Sequence, residues 1–231
     1  MRVLVLRPAD GAKRTAARLA ELGHAAIVAP LLEPAATSAS APAGPFHGTV
    51  ATSAQAFVLA PAEALAPWRS LPLAVVGRRT AQAAQAAGFT QITTQAPDAA
   101  ALVQALAPTI SGARLLYFAA RDRKPALEAG LRAAGADILP WVVYEARPVA
   151  RLPEAAADAL RGGAADAALH FSRRSAEIFS ALCLEADLGP EARALRHLAL
   201  SHDAAAGLSA LAPPVVEIAE APDEASLLAR L

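Results

Sequence analysis

The sequence predicts an α/β protein whose parallel sheets are covered by helices, arranged as two lobes with one inserted into the other. Three observations predict it. Short β-type runs alternate with alanine-rich helical stretches along all 231 residues, and this alternation is the signature of parallel sheets buried on both faces. The chain is 55% apolar and 18% charged, which leaves ample material for cores and excludes a disordered chain. Finally, a weak internal repeat appears in permuted order.

In order along the chain, VLVL (3–6) reads as the first strand. A helix is predicted from about Ala12 to Leu22, because Ala12, Ala16, Leu19 and Ala20 fall at helical spacing while Arg14 and Arg18 lie on another face. Gly23 stops it, as a residue tolerant of positive φ does just past a helix end. AAIVAP (25–30) is the second strand. Further strands are read at 49–52, 73–76, 91–94, 114–118, 138–144, 167–171, 197–200 and 215–218, each followed by a stretch of helical character.

The repeat joins residues 3–30 to 115–140, then 49–57 to 168–179, then 73–89 to 197–211. Labelling these units c, a and b, the chain reads c, then a-b-c, then a-b. Only the middle set is complete. The expected organisation is therefore a discontinuous lobe of residues 1–34 and 149–231, with an inserted lobe of 37–145. The proline-bearing segments 30–36 and 144–153 are the two crossing connections, extended by Pro34 and Pro148. A bilobed chain with a two-strand hinge places its expected binding site in the cleft.

Composition narrows the function. Formal charge is zero, with 21 basic and 21 acidic residues, so the basic excess of a nucleic-acid binder is missing. Alanine makes up 65 residues, and arginine 19 of the 21 basic ones; both biases are read as base composition rather than chemistry. The apolar runs are too short to span a bilayer, and Arg7-Pro8 cuts the opening run before it resembles a secretory signal. A single cysteine, Cys183, excludes a disulfide scaffold and reads as a small core residue. A cytoplasmic protein is expected, and a monomer, since no long amphipathic stripe is left for a partner.

Common catalytic signatures are absent: no glycine-rich phosphate loop, no nucleophile elbow, no zinc-ligand spacing. His170 and His197 sit in strands and read as hydrogen-bonded core histidines. What remains is a series of strand-end turns rich in hydroxyls and arginine: Arg7-Pro8, Thr52-Ser53, Gly77 to Thr80, Arg121 to Lys124, Ser172 to Ser175, and Ser201 to Asp203. Each Ser or Thr has an ordinary reading as a helix N-cap. Such turns in both lobes, at the strand ends where open parallel sheets bind ligands, point instead to a polyanion held by amides, hydroxyls and guanidinium groups. Tyr144 ends a strand where the lobes join. It reads equally as a packed hinge residue or as a phenol acting as weak acid.

These motifs resemble uroporphyrinogen-III synthases. The opening strand with its Arg-Pro turn, Thr52-Ser53-Ala54-Gln55-Ala56, Val76-Gly77-Arg78-Arg79-Thr80-Ala81 through Gly88-Phe89, Leu131 through Gly135-Ala136 to Tyr144, and Phe171-Ser172-Arg173-Arg174-Ser175 follow the family's order and spacing. The last turn departs: Ser201-His202-Asp203 stands where the family carries threonines. The resemblance implies two Rossmann-like or flavodoxin-like lobes joined by a two-stranded linker. It implies a lyase that needs no cofactor or metal and that cyclises hydroxymethylbilane, an octacarboxylate linear tetrapyrrole, with loss of water and inversion of ring D. It also implies delivery of that substrate by the upstream hydroxymethylbilane synthase. Tyr144 is the expected catalytic residue, with Arg7, Ser53, Thr80, Arg121, Ser172, Arg173 and Ser201 binding substrate. The rival readings are a bilobed cytosolic binding module for a polyanionic small molecule and a nucleotide- or sugar-phosphate-using transferase. The transferase needs a phosphate loop or acidic metal ligands that the sequence does not contain.

Overall fold

A computed structural model describes residues 1–231, the side chain of Asp10 excepted. In chain order the elements are β1 (Arg2–Val5), α1 (Ala9–Glu21), β2 (Ala25–Val28), β3 (Leu32–Ala36), β4 (Gly48–Ala51), α2 (Gln55–Leu59), α3 (Ala62–Leu65), β5 (Leu73–Val76), α4 (Arg78–Ala86), β6 (Ile92–Ala96), α5 (Ala99–Leu106), β7 (Arg114–Ala120), α6 (Ala126–Ala133) and β8 (Asp137–Pro148). They continue with α7 (Glu154–Arg161), β9 (Ala167–His170), α8 (Arg173–Glu185), α9 (Gly189–Arg193), β10 (Arg196–Ala199), α10 (His202–Ala206), β11 (Val216–Ile218) and α11 (Glu224–Leu228).

The chain divides into two compact units, Met1–Glu33 with Arg147–Leu231, and Pro34–Ala146. The first holds a parallel sheet in the order β11-β10-β9-β1-β2. Numbered within the unit this is the flavodoxin-like order 2-1-3-4-5, with its switch point between β1 and β9. In the second unit the order is β3-β8-β7-β4-β5-β6. Its five parallel strands, β8-β7-β4-β5-β6, repeat the first unit's order once the permutation read from the repeat is applied. There the switch point falls between β7 and β4.

Period-two alternation makes each sheet two-sided. Val3 and Val5 pack with Leu19, Leu198 and Leu227 on one face of the first sheet, whereas Leu4 and Leu6 pack with Phe179, Leu182 and Cys183 on the other. In the second unit Leu115, Tyr117 and Ala119 face α5 and α6, and Leu116 and Phe118 face an aromatic cluster. Phe118 meets Phe57, Phe89 and Trp141 edge-on, with ring centroids 5.6, 5.7 and 5.8 Å away. Each fully buried Leu or Phe of these layers contributes roughly 1.5–3 kcal/mol over an exposed one.

The structure departs from the sequence reading in two places. The segment 30–36 forms strand β3, which lies beside β8. Thr37 N–H donates to Val143 O (3.1 Å) and Val149 N–H to Leu31 O (3.0 Å), so the two strands run antiparallel. That partner carries β8 on to Pro148, beyond the predicted end at Tyr144. After β4 the single expected helix is split into α2 and α3, because Ala60 precedes Pro61 and is held extended (φ −69°, ψ 138°).

The two core histidines are as the sequence suggests. His170 Nε2 lies 3.0 Å from His197 Nδ1, and His197 Nε2 lies 2.9 Å from Ala192 O, with both rings buried. Because a carbonyl only accepts, His197 carries its hydrogen on Nε2 and accepts at Nδ1 from His170 Nε2–H. Cys183 is fully buried, and burial pushes its thiol up to about 12, which makes it inert. No helix among the described residues is long and apolar enough to cross a membrane.

Candidate functional site

In both units the turns singled out in the sequence lie at the carboxyl ends of the sheets, beside the switch points or one strand away. Parallel topology dictates this, since every helix begins where the preceding strand ends. At the first unit's switch point, Arg7 follows β1 and Phe171-Ser172 follow β9. The Arg7 guanidinium lies over the Phe171 ring, 4.2 Å from its centroid. Arg7 Nη1 donates to Glu224 Oε1 (3.1 Å) and Thr15 Oγ1 (3.2 Å), and Arg18 Nη1 donates to Glu224 Oε2 (2.8 Å). Gly11 makes room for this arrangement, since a Cβ there would stand 2.4 Å from Arg7 Nε. Glu224 lies 217 residues from Arg7, so no local pattern announces the pair.

Two serines of this unit cap the starts of helices. Ser172 Oγ accepts from Ser175 N–H (3.3 Å) and lies 2.8 Å from Ser175 Oγ. Ser201 Oγ accepts from Ala204 N–H (3.2 Å). Arg173, largely exposed, pairs with Glu177 (2.9 Å) and more distantly with Asp203 (3.7 Å). Glu177's hydrogen bond, then its charge, raises the Arg173 pKa.

The second unit is arranged differently. Ser53 Oγ accepts from Gln55 N–H (3.3 Å), yet α2 begins without a side-chain cap. Helix α4 also lacks one: its N-cap is Gly77, at φ 81° and ψ 150°, a conformation essentially confined to glycine. Thr80 is buried in the first turn of α4. Thr52 Oγ1 and Tyr117 OH lie 3.0 Å apart. Burial raises the Tyr117 pKa, the Thr52 hydrogen bond opposes that rise, and Tyr144 adds to it. Arg121, mostly exposed, ion-pairs with Glu145, and its N–H donates to Tyr144 O (2.9 Å). Arg123 Nε donates to Glu128 Oε1 (2.6 Å). Burial pushes Glu128 up, but the hydrogen bonds and charges of Arg123 and Arg132 prevail and hold it below the usual carboxylate range.

Tyr144 owes its direction to a bulge. Ala119 pairs with Val142 and Ala120 with Tyr144, so β8 carries one extra residue there. Trp141 and Val143 both face the aromatic core, and strict alternation would turn Tyr144 to the opposite face. The extra residue brings its half-buried ring back against that core. Ser53, Thr80, Arg121 and Tyr144 at this end are legible in the sequence, whereas Tyr117 and its hydroxyl contact with Thr52 are not. Tyr117 stands inside an apolar strand, and only the tertiary position of Thr52 distinguishes it from core.

Among known families, the model of uroporphyrinogen-III synthase HemD matches residues 13–229, a span that takes in both units. No curated protein sequence matches the chain. Among solved structures, uroporphyrinogen-III synthetase of Helicobacter pylori is similar in fold, at TM-score 0.53 and 16% identity over 99% of this chain and 96% of that one. A mutant uroporphyrinogen III synthase of Thermus thermophilus is similar at TM-score 0.44 and 18% identity, over 100% and 96%. The chain belongs to the uroporphyrinogen-III synthase HemD family, enzymes that cyclise hydroxymethylbilane in tetrapyrrole biosynthesis.

Proposed function

We propose that this chain performs the family's cyclodehydration with inversion of ring D, with Tyr144 as its catalytic residue and the second unit's carboxyl-end rim as its main substrate-binding surface. The Tyr144 hydroxyl protonates or hydrogen-bonds the departing hydroxymethyl oxygen. The C–O bond breaks with its electrons on oxygen and water leaves; a carbon of the last ring then attacks the azafulvene-type cation left behind, and the ring system regains neutrality by giving up a proton, which restores the Tyr144 phenol. The unassisted molecule already closes without inversion, so the protein's task is mainly to fold the chain of rings so that the other closure prevails. Carboxylates of the substrate are met by Ser53, by Arg121, and by the first-turn amides of α4 beside Thr80, where Gly77 lets the backbone approach closely. In the first unit Arg7, Ser172, Arg173 and Ser201 complete the set, with Ser172 and Ser201 acting through the helix ends they organise.

The observation that supports this reading is the bulge that pairs Tyr144 with Ala120 at the carboxyl end of β7, one of the two strands that flank the switch point. We also infer that the chain works in the cytoplasm as a monomer supplied by the upstream hydroxymethylbilane synthase; cell fractionation, light scattering and a coupled two-enzyme time course test these three points in turn.

The deciding experiment is an assay with freshly made hydroxymethylbilane, separating the uroporphyrin isomers after oxidation. Type III is the expected product. Type I alone, from folded protein, overturns the assignment and leaves a module that binds a polyanion without chemistry.

A further inference from the structure

We propose that the second unit carries a binding site for a small, uncharged heteroaromatic or phenolic molecule at the amino-terminal edge of its sheet. A cavity of about 290 Å³ opens there, between the start of β4 and the chain that follows α5. Thr49 lines it, near the start of β4, and Thr52 follows the end of that strand three residues on. At about 3.3 Å rise per residue the two lie roughly 10 Å apart, so the cavity is separate from the carboxyl-end rim.

The lining specifies the ligand class. None of the lining residues is Asp, Glu, Lys or Arg, so a carboxylate or an ammonium entering it would lose its hydration without gaining a counter-charge. Val50, Ile110 and Leu115 supply an apolar floor for a flat body. Three of the four threonine hydroxyls that line it are already spent as donors: Thr49 Oγ1 points to Pro72 O (3.3 Å), Thr93 Oγ1 to Leu73 O (3.5 Å) and Thr109 Oγ1 to Leu106 O (3.1 Å). A hydroxyl has one hydrogen and two lone pairs, so these three oxygens are left as acceptors. His47 adds a donor of its own. Its Nδ1 accepts from Arg114 N–H (2.9 Å), which puts the hydrogen of the neutral ring on Nε2 as a donor. An apolar floor with acceptors around it suits a ring that offers N–H or O–H, and a volume near the lower end of small-molecule pockets suits one or two fused rings. The acidic substrate of the family is excluded by both charge and size.

The test is a ¹H–¹⁵N titration of the full chain with three probes. Indole has an N–H donor and no charge, 1-methylindole lacks the donor, and pyrrole-2-carboxylate carries a charge. Indole is expected to give saturable shifts at the amides of Thr93, Thr94, Thr109 and Ile110, with 1-methylindole at least fivefold weaker and the carboxylate without saturation. Ala113→Leu, which fills the cavity, should abolish indole binding. Because that variant risks misfolding, the exposed Thr109→Val is the second arm, and it should weaken indole severalfold while leaving hydroxymethylbilane turnover unchanged. Absence of saturable shifts overturns the site, as do indole shifts confined to residues 52–53 and 77–80. Equal binding of indole and 1-methylindole overturns the ligand class.

Discussion

The two sheets share one strand order, yet their carboxyl-end rims are finished in opposite ways. In the first unit the helices after β9 and β10 begin with Ser172 and Ser201, whose hydroxyls accept from amides of their own first turns. Arg7, at the switch point, is tied to Glu224 and Thr15. In the second unit the equivalent helices, α2 and α4, follow Ala54 and Gly77 and have no side-chain cap. The helices after the last strand of each sheet, α11 and α5, are capped alike by Asp223 and Asp98. The contrast is therefore confined to two pairs of positions on otherwise matching frames. A capped helix end has partners for its leading amides and gains roughly 1 kcal/mol. An uncapped end keeps those donors for an anion. The first unit's rim is the one the chain stabilises, and the proposed substrate surface is the rim whose helix ends are left without side-chain caps.

The strongest way to break this comparison is Tyr144→Phe. Loss of the phenol should lower kcat about 100-fold, the low end for a general acid, because a phenol is a weak acid. The melting temperature should barely move. Full retained activity would remove the second unit's rim as the seat of the chemistry.

Acid separates the units next. Burial, then the charge of His197, lowers the His170 pKa to about 3, and burial lowers His197 as well, against the hydrogen bond to Ala192 that raises it. Both folded values lie below the unfolded value near 6.5, so the unfolded chain takes up protons first. Stability is full above about pH 7 and falls as pH drops through 6.5. His170 alone should cost about 2 kcal/mol at pH 5. The second unit's histidine, His47, is exposed. Urea titrations at pH 7.5 and 5, read unit by unit through amide exchange, should show the loss in the first unit. An equal loss in both would contradict the assignment to the buried pair.

Much of this was legible before any coordinates. Strand positions follow from short apolar runs, and the permuted repeat yields the insertion because identical frames leave similar period-two and helical patterns. Gly77, Ser172 and Ser201 are readable as helix starts because a cap is a local event spanning three or four residues. Other features escaped for one physical reason, that their partners are distant in sequence. Glu224 meets Arg7 across 217 positions, and Thr52 meets Tyr117 across 65. The bulge before Tyr144 is set by pairing with β7 rather than by anything in PWVVY itself.

A smaller effect is expected from Gly77→Ala. Space is not the obstacle, since an added Cβ would meet nothing within 4 Å. The strain comes from φ 81° with ψ 150°, and should cost on the order of 1–2 kcal/mol. If the turn then relaxes, the α4 amides move and KM for hydroxymethylbilane should rise more than kcat falls. A loss of stability with KM unchanged would leave α4 as frame only.

The smallest effects fall on the caps and bear most directly on how the rims differ. Ser172→Ala and Ser201→Ala should each destabilise the first unit by about 1 kcal/mol, the usual worth of a serine cap. Their effect on KM should stay within about threefold, since a cap hydroxyl already committed to an amide has little left for a carboxylate. Ser53→Ala should do the reverse, with little change in stability and a larger rise in KM, because its amide contact lies outside a formed cap. Chemical denaturation and steady-state kinetics on the three variants check this. A tenfold rise in KM for Ser172→Ala or Ser201→Ala would mean that substrate takes those hydroxyls from their helices, and the two rims would then share the binding equally.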